Sequence, residues 1–301
     1  MTAAGRAGYA ALLGRPNVGK STLLNRLIGQ KISITSPKPQ TTRHVILGIQ
    51  TLPEAQIVYV DTPGLHRQEK RAMNRYLNRA AASVLGYVDV AVLLIEALRW
   101  LEEDEDVLTR LVDFPGPVVL AVNKVDRIAD KTRLLPFLEE MARKRAFAEV
   151  VPLAALQGDN VAALERAIAG LLPVGERLFP EDQVTTVSER FLAAELVREK
   201  LTRLLREELP YALTVDIERF VEEGRLTRIS AVIWVERETQ KGIVIGQGGA
   251  TLREAGKQAR EALERLLDRK VFLQTWVKVR EGWSDDERAL RSLGYGDPGA
   301  T

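Results

Sequence analysis

The stretch Gly14-Arg15-Pro16-Asn17-Val18-Gly19-Lys20-Ser21 fits the pattern G-x-x-x-x-G-K-[ST], and its neighbours on both sides restrict what it can be. Upstream, Tyr9-Ala10-Ala11-Leu12-Leu13 is an apolar run that suits a buried strand. Downstream, Thr22-Leu23-Leu24-Asn25-Arg26-Leu27-Ile28 has the apolar spacing of a helix. A chance Gly-Lys-Ser turn needs neither neighbour. Between a strand and a helix, Gly14 and Gly19 let successive backbone N–H groups turn inward around a phosphate, Lys20 adds a point charge, and the Ser21 hydroxyl can join a magnesium ion. Arg15, Pro16, Asn17, Val18 and Thr22 complete the cradle, and the helix N-terminus also favours an anion. The expected ligand is a nucleoside triphosphate.

A second motif selects the base. Asn123-Lys124-Val125-Asp126 follows Pro117-Val118-Val119-Leu120-Ala121-Val122, which reads as a buried parallel strand. The Asp126 carboxylate can accept from the N1 and N2 donors of guanine, whereas adenine has an acceptor at N1 and no amino group at position 2. A carboxylate left unpaired against the wrong base costs about 1–3 kcal/mol or more, so the pocket prefers GTP. A third motif, Asp61-Thr62-Pro63-Gly64, ends the strand-like Ala55-Gln56-Ile57-Val58-Tyr59-Val60. Asp61 can hold magnesium through water, and the Gly64 N–H can reach the γ-phosphate. All three motifs stand at the carboxyl end of a candidate strand, where open α/β sheets bind ligands.

With these motifs in this order, the chain resembles the Ras-like GTPase superfamily. The resemblance implies a first switch in the polar stretch 33–44, in which Thr41 or Thr42 closes on magnesium and the γ-phosphate; Thr42 is favoured. It implies catalytic roles for Lys20, Thr42, Gly64 and Asn17, with Ser21, Thr42 and Asp61 on the metal. In related GTPases an asparagine at the position of Asn17 holds a potassium ion in place of an arginine finger. Where the family has Ser-Ala behind the guanine, this chain has Ala154-Ala155, and the Ala155 N–H is expected still to support the base. Leu65 stands where Ras has a glutamine that orients the attacking water, so unaided hydrolysis should be slow. His66 is read as a surface residue of the loop, because it has no visible orienting partner.

The chain has 301 residues, enough for two domains, and no cysteine, which excludes disulfides and thiolate metal sites and suits a reducing compartment. There is no apolar run of about 18 residues and no signal-like N-terminal core, so a cytoplasmic location is expected. The acidic run 102–106 is read as a solvated helix start. A first domain is expected over 1–172, a linker over 173–185, where Pro173, Gly175 and Pro180 fall, and a second domain over 186–301. The second domain opens on Thr186-Val187-Ser188-Glu189, a capping box before a helix. Strands are expected over 212–220 and 228–235, a helix from Thr251 to Leu267, a strand over 271–279 and a capped helix over 284–293.

Between the second of those strands and the helix lies Ile245-Gly246-Gln247-Gly248-Gly249, a G-x-x-G turn of the kind that clamps single-stranded RNA in KH modules. The element order, helix, strand, strand, G-x-x-G loop, helix, strand, is similar to that of the KH domains of bacterial proteins. The second domain is not basic as a whole, yet residues 237–280 hold ten basic against five acidic side chains, which favours a directed groove. Candidate RNA contacts are Lys241, Ile245, Gly246, Gln247, Gly248, Gly249, Arg253 and Lys257, with Arg260 next to test.

One Ras-like domain followed by one KH domain resembles the bacterial Era family over nearly the whole chain. The sequence of residues 32–44 looks like that family's first switch, and that of 282–290 like its tail. The resemblance implies an α/β fold: a Ras-like P-loop GTPase domain followed by an α+β KH (type II) RNA-binding domain. It also implies GTP and GDP with Mg2+, and possible K+, as ligands. The implied role is that of a switch that binds 16S ribosomal RNA near its 3′ end, assists assembly of the small (30S) ribosomal subunit, and sometimes sits peripherally at the inner face of the cell membrane. The alternative is an RNA-binding ribosome accessory protein whose guanine nucleotide is structural. An ATP-using kinase is disfavoured by residues 123–126.

Overall fold

In the computed structural model, residues 5–64, 71–205 and 209–295 are described. The first unit runs β1 (Arg6–Leu13), α1 (Lys20–Ile28), β2 (Ile46–Thr51), β3 (Ala55–Asp61), α2 (Ala72–Val84), β4 (Val90–Glu96), α3 (Glu102–Arg110), β5 (Val118–Asn123), α4 (Leu134–Ala142), β6 (Glu149–Pro152) and α5 (Val161–Leu171). Its six strands lie in the order β2-β3-β1-β4-β5-β6, all parallel except β2, which pairs antiparallel with β3. β3 and β5 are buried along their whole length because helices cover both faces of the sheet, and that is why their sequences are near-continuous apolar runs. Strand order reverses between β1 and β4, which opens a crevice at their carboxyl ends.

The segment expected to be a linker is fastened to the first sheet. The Gln56 side chain, fully buried at the start of β3, accepts from Leu178 N and Phe179 N at 2.8 and 2.9 Å and donates to Phe179 O at 2.8 Å. Ile49 N on β2 donates to Val184 O at 2.8 Å, so this stretch shields an otherwise open sheet edge.

The second unit runs α6 (Glu189–Leu204), β7 (Leu213–Glu223), β8 (Leu226–Val235), α7 (Glu238–Ile245), α8 (Ala250–Leu267), β9 (Lys270–Val279) and α9 (Glu287–Ser292). β7 and β8 form an antiparallel hairpin, and β9 joins β8 in parallel. α6 and α8 cover one face, burying Leu196, Leu201, Ile217, Ile233, Ala259 and Leu263 in one core. Three expectations need correction. α7 precedes the glycine turn where the sequence suggested only an apolar run: Val244 is buried and Ile243 is 58% exposed, which a helix achieves by rotating neighbours about 100° apart. The cap of α6 is Ser188, whose hydroxyl accepts from Phe191 N, and not Thr186. The cap of α9 is Asp286, while the Ser284 hydroxyl donates to Glu236.

The two units meet along the first switch and α2. Trp283, Leu290 and Tyr295 pack with Met73, Tyr76 and Leu77 of α2, and Asp285 accepts from Ala72 N at 2.8 Å, capping α2 from across the interface. His44 is stacked on Tyr295 at 4.7 Å and stands edge-on to Phe191 at 5.1 Å. Burial lowers its pKa from 6.5 to about 4; of the charges that face it, Glu195 opposes this and Arg198 and Arg43 reinforce it. The unfolded chain therefore takes up this proton before the folded one does, so the histidine's contribution is complete above pH 6.5 and is lost as pH falls towards 4. Urea unfolding should show that His44→Phe loses about 2 kcal/mol less than the parent over that interval.

Candidate nucleotide site and RNA-facing loop

A cleft of about 550 Å³ lies at the carboxyl ends of β1, β3 and β5, a volume suited to a nucleoside triphosphate. Pro16, Asn17, Gly19, Lys20, Ser21 and Thr22 line it from the loop, Gly64 from the end of β3, and Asn123, Lys124 and Asp126 from the end of β5. The Lys20 ammonium donates to Gly14 O and Arg15 O at 2.8 and 3.1 Å, and burial lowers its pKa from 10.5 to about 8. A phosphate anion beside it favours the charged form. Gly64 is needed for close approach, since a Cβ there would stand 2.9 Å from Pro16 Cγ.

Three oxygens converge on one point. Ser21 Oγ lies 2.7 Å from Thr42 Oγ1 and 2.6 Å from Asp61 Oδ2, and Ser33 Oγ donates to the same carboxylate at 2.9 Å. Burial pushes the Asp61 carboxyl above its usual range, and its Oδ1 is buried without a protein partner. Two hydroxyls and a buried carboxylate are the hard oxygen donors that Mg2+ accepts together with water, so the residues fit that ion. Of the two threonines, Thr41 turns away: its hydroxyl donates to Lys38 O at 2.7 Å and meets Ser36 Oγ at 2.6 Å. The Asn17 amide donates to Pro37 O of the switch at 2.9 Å.

Several residues predicted to face the nucleotide support the cleft from behind. Val18 is buried in the core. The Arg15 guanidinium points to Glu96 at 3.0 Å and Asp104 at 3.1 Å, and Glu96 also accepts from Lys124 at 2.9 Å. Burial opposes ionisation of Glu96, yet hydrogen bonds from Lys124 and Arg15 hold its carboxyl below the usual range. Asp104 is fully buried, accepts from Leu101 N and pairs with Arg15, so the acidic run of α3 is not wholly solvated. Ala154 is buried, and its N–H donates to Asp159 O. The Ala155 N–H, expected to support the base, is given at 3.0 Å to Asn123 Oδ1, while Asn123 Nδ2 donates to Val18 O at 2.8 Å. Ala155 therefore acts through Asn123, which ties the base end of the cleft to the phosphate loop. Leu65 and His66 lie outside the described residues.

No motif or spacing points to Arg203. This α6 residue lines the cleft and donates to Thr35 O through Nε and a terminal nitrogen at 3.1 and 2.7 Å. Beside it, Glu199 is fully buried and accepts from Lys31, Lys200, Arg203 and Thr35 N. Burial disfavours its charge, but the hydrogen bonds from Lys31 and Lys200 bring its pKa from 4.5 down to about 2.

In the second unit, Gly246-Gln247-Gly248-Gly249 joins α7 to α8. Gly246 has φ 75°, and a Cβ there would lie 2.3 Å from Thr251 Oγ1, so only glycine fits. Arg253 and Lys257 are exposed on the first turns of α8, and Arg253 donates to Gly248 O at 3.3 Å. Lys241 stands on α7, 3.6 Å from Glu238, with Ile245 partly exposed at the helix end. Of these cations, Arg253 is tied directly to the glycine loop, and Ile243 on α7 is an exposed apolar side chain.

Comparison with known proteins agrees with this two-part architecture. A family profile described as a 50S ribosome-binding GTPase matches residues 9–124, and a KH-domain profile matches 208–284. "GTPase Era" of Xanthomonas oryzae is 61% identical over 96% of this chain and 97% of its own length. The chain belongs to the Era family of GTPases. As an Era-family protein it hydrolyses GTP. Among solved structures, a variant of Aquifex aeolicus Era bound to GDP·AlF4− is 40% identical with a TM-score of 0.93, covering 97% of this chain and 99% of that one. An Era in complex with MgGDPNP and nucleotides 1506–1542 of 16S ribosomal RNA matches with the same identity, TM-score and coverage.

Arg15→Ala leaves the buried Asp104 carboxylate without its cation and should cost about 3–5 kcal/mol in denaturant unfolding. Arg15→Met combined with Asp104→Asn should recover part of that loss.

Proposed function

We propose that this Era-family GTPase is a GTP-controlled factor that binds 16S ribosomal RNA near its 3′ end through the KH unit, assists small-subunit assembly, and is released by hydrolysis. The observation that carries this reading is that the switch segment touches both partners: Thr42 stands beside Ser21 at the nucleotide cleft, while Arg43, 1% exposed, donates to Leu213 O and Tyr211 O of the KH unit at 2.8 and 3.1 Å. A nucleotide that holds or releases this segment changes what the KH unit rests on. The 16S fragment bound to the Era of known structure supports the choice of RNA.

In this reading residues 1–172 are the GTPase domain, 173–185 the connection and 186–301 the KH domain. The loop N–H groups and Lys20 bind the phosphates, Asp126 selects guanine, Gly64 N–H orients the γ-phosphate, and Thr42, Ser21 and Asp61 hold the metal. Magnesium, when bound, neutralises charge on the phosphate oxygens. With Leu65 after Gly64, the chain supplies no side-chain amide to orient water there, so we assign slow intrinsic turnover. We assign Asn17, with Pro37 O beside it, to a potassium ion; replacing potassium by sodium should then lower kcat, and equal rates would remove that assignment. The reading includes a peripheral contact with the membrane; no helix among the described residues is long and apolar enough to cross a bilayer.

Crosslinking to cellular RNA in the GTP-analogue and GDP forms, followed by sequencing, tests target and switch together. The expected outcome is enrichment of the 16S 3′ region with the GTP analogue. Equal recovery in both states would leave an RNA-binding protein with a structural nucleotide. Titration with GTP and ATP checks base choice, and Asp126→Ala should weaken GTP binding at least about tenfold.

A further inference from the structure

α6 belongs to the KH unit, yet one of its faces is built around the GTPase switch. Glu195, Arg198, Glu199 and Arg203 follow helical spacing, and the last three meet backbone groups of residues 31–41. Glu199 accepts from Thr35 N at 3.0 Å, Arg203 donates to Thr35 O, and Arg198 donates to Thr41 O. The Arg198 contact adjoins the chemistry. Its guanidinium is 1% exposed and is held by Glu195 through two hydrogen bonds of 2.7 Å, leaving the same terminal nitrogen to reach the carbonyl that precedes Thr42. Fixing that carbonyl fixes the plane of the Thr41–Thr42 peptide. What remains to place the Thr42 hydroxyl, 2.7 Å from Ser21 Oγ, is the Thr42 φ and one side-chain torsion.

We propose that Arg198 is a positioning residue for GTP hydrolysis: the KH unit, through the Glu195–Arg198 pair, sets the Thr41–Thr42 peptide so that the Thr42 hydroxyl stands at the metal and γ-phosphate position. This rests on the role given above to Thr42. The residue type follows from the geometry. A planar fork can pair with a carboxylate along one edge and still donate to a carbonyl, which a lysine ammonium does poorly while matching a carboxylate bidentately.

Arg198→Met alone would leave the Glu195 carboxylate buried and unpaired, so the test uses Glu195→Gln with Arg198→Met, which removes both charges. It is read against Thr42→Ala, with melting temperature and KH-dependent RNA binding as controls. The expected result is a fall in kcat of about tenfold or more, from a displaced ligand, with KM for GTP changing much less. The magnesium concentration for half-maximal rate should rise and the affinity for GDP should stay unchanged; a merely structural role would shift GDP affinity as well. Arg198→Lys should restore only part of the rate. Adding Thr42→Ala to the double variant should cost little more, since the changes act through one hydroxyl. A folded double variant with parental kcat and magnesium dependence overturns the proposal, as does an equal loss of GDP affinity. If Thr42→Ala itself leaves kcat and magnesium dependence unchanged, the assignment of Thr42 is what has failed, and Arg198 loses its stated role with it.

Discussion

Three separate segments of the chain meet at the Ser21 hydroxyl: the phosphate loop that carries it, the end of β3 through Asp61, and the switch through Thr42. Each arrives there for a different reason. Ser21 is set by the start of α1, Asp61 by seven buried residues of a strand paired on both sides, and Thr42 by contacts with the other unit. Two of these anchors are rigid, and the third is borrowed. This asymmetry makes the site a candidate switch, because a junction that needs a part supplied from elsewhere can be broken without unfolding its own domain.

The charges around the junction follow the same plan. Lys20 and Asp61 are both buried, and burial works against the charge of each, which the opposite charges of a nucleotide and its metal would support. Arg15 and Lys124 share Glu96, so the phosphate loop and the base-binding end are braced against one carboxylate. Asn123 does the same with neutral groups, linking Val18 to Ala155. The loop ends at which substrates bind are thereby tied to one another.

Much of the site was legible because it lies where strands end. Runs such as 117–122 announce buried strands, and the polar residues just beyond them can only be at the carboxyl edge of the sheet. Side-chain direction was not legible. Nothing in the spacing says that Arg15 turns to Asp104, or that the Ala155 N–H is taken by Asn123, since both depend on partners dozens of residues away. α7 was hidden for a different reason: three consecutive apolar residues, 243–245, carry no period, and only tertiary packing decides that Val244 goes in while Ile243 stays out. The α6 face was least visible of all. Its apolar spacing marks a helix and says nothing of its Glu and Arg residues, whose partners lie in a segment more than 150 residues earlier.

Arg43 and the Tyr295 hydroxyl, 3.4 Å apart in space, are separated by 252 positions in the chain. At about 5–20 residues per second, a ribosome needs on the order of 10–50 s to travel that distance. The last strand of the first sheet, β6, is made before Arg198 and Leu213, which follow their partners Thr41 and Arg43 by 157 and 170 positions, and Tyr295 comes only at the end of that interval. A newly emerging chain thus acquires its nucleotide cradle well before it acquires the contacts that give the nucleotide a reader.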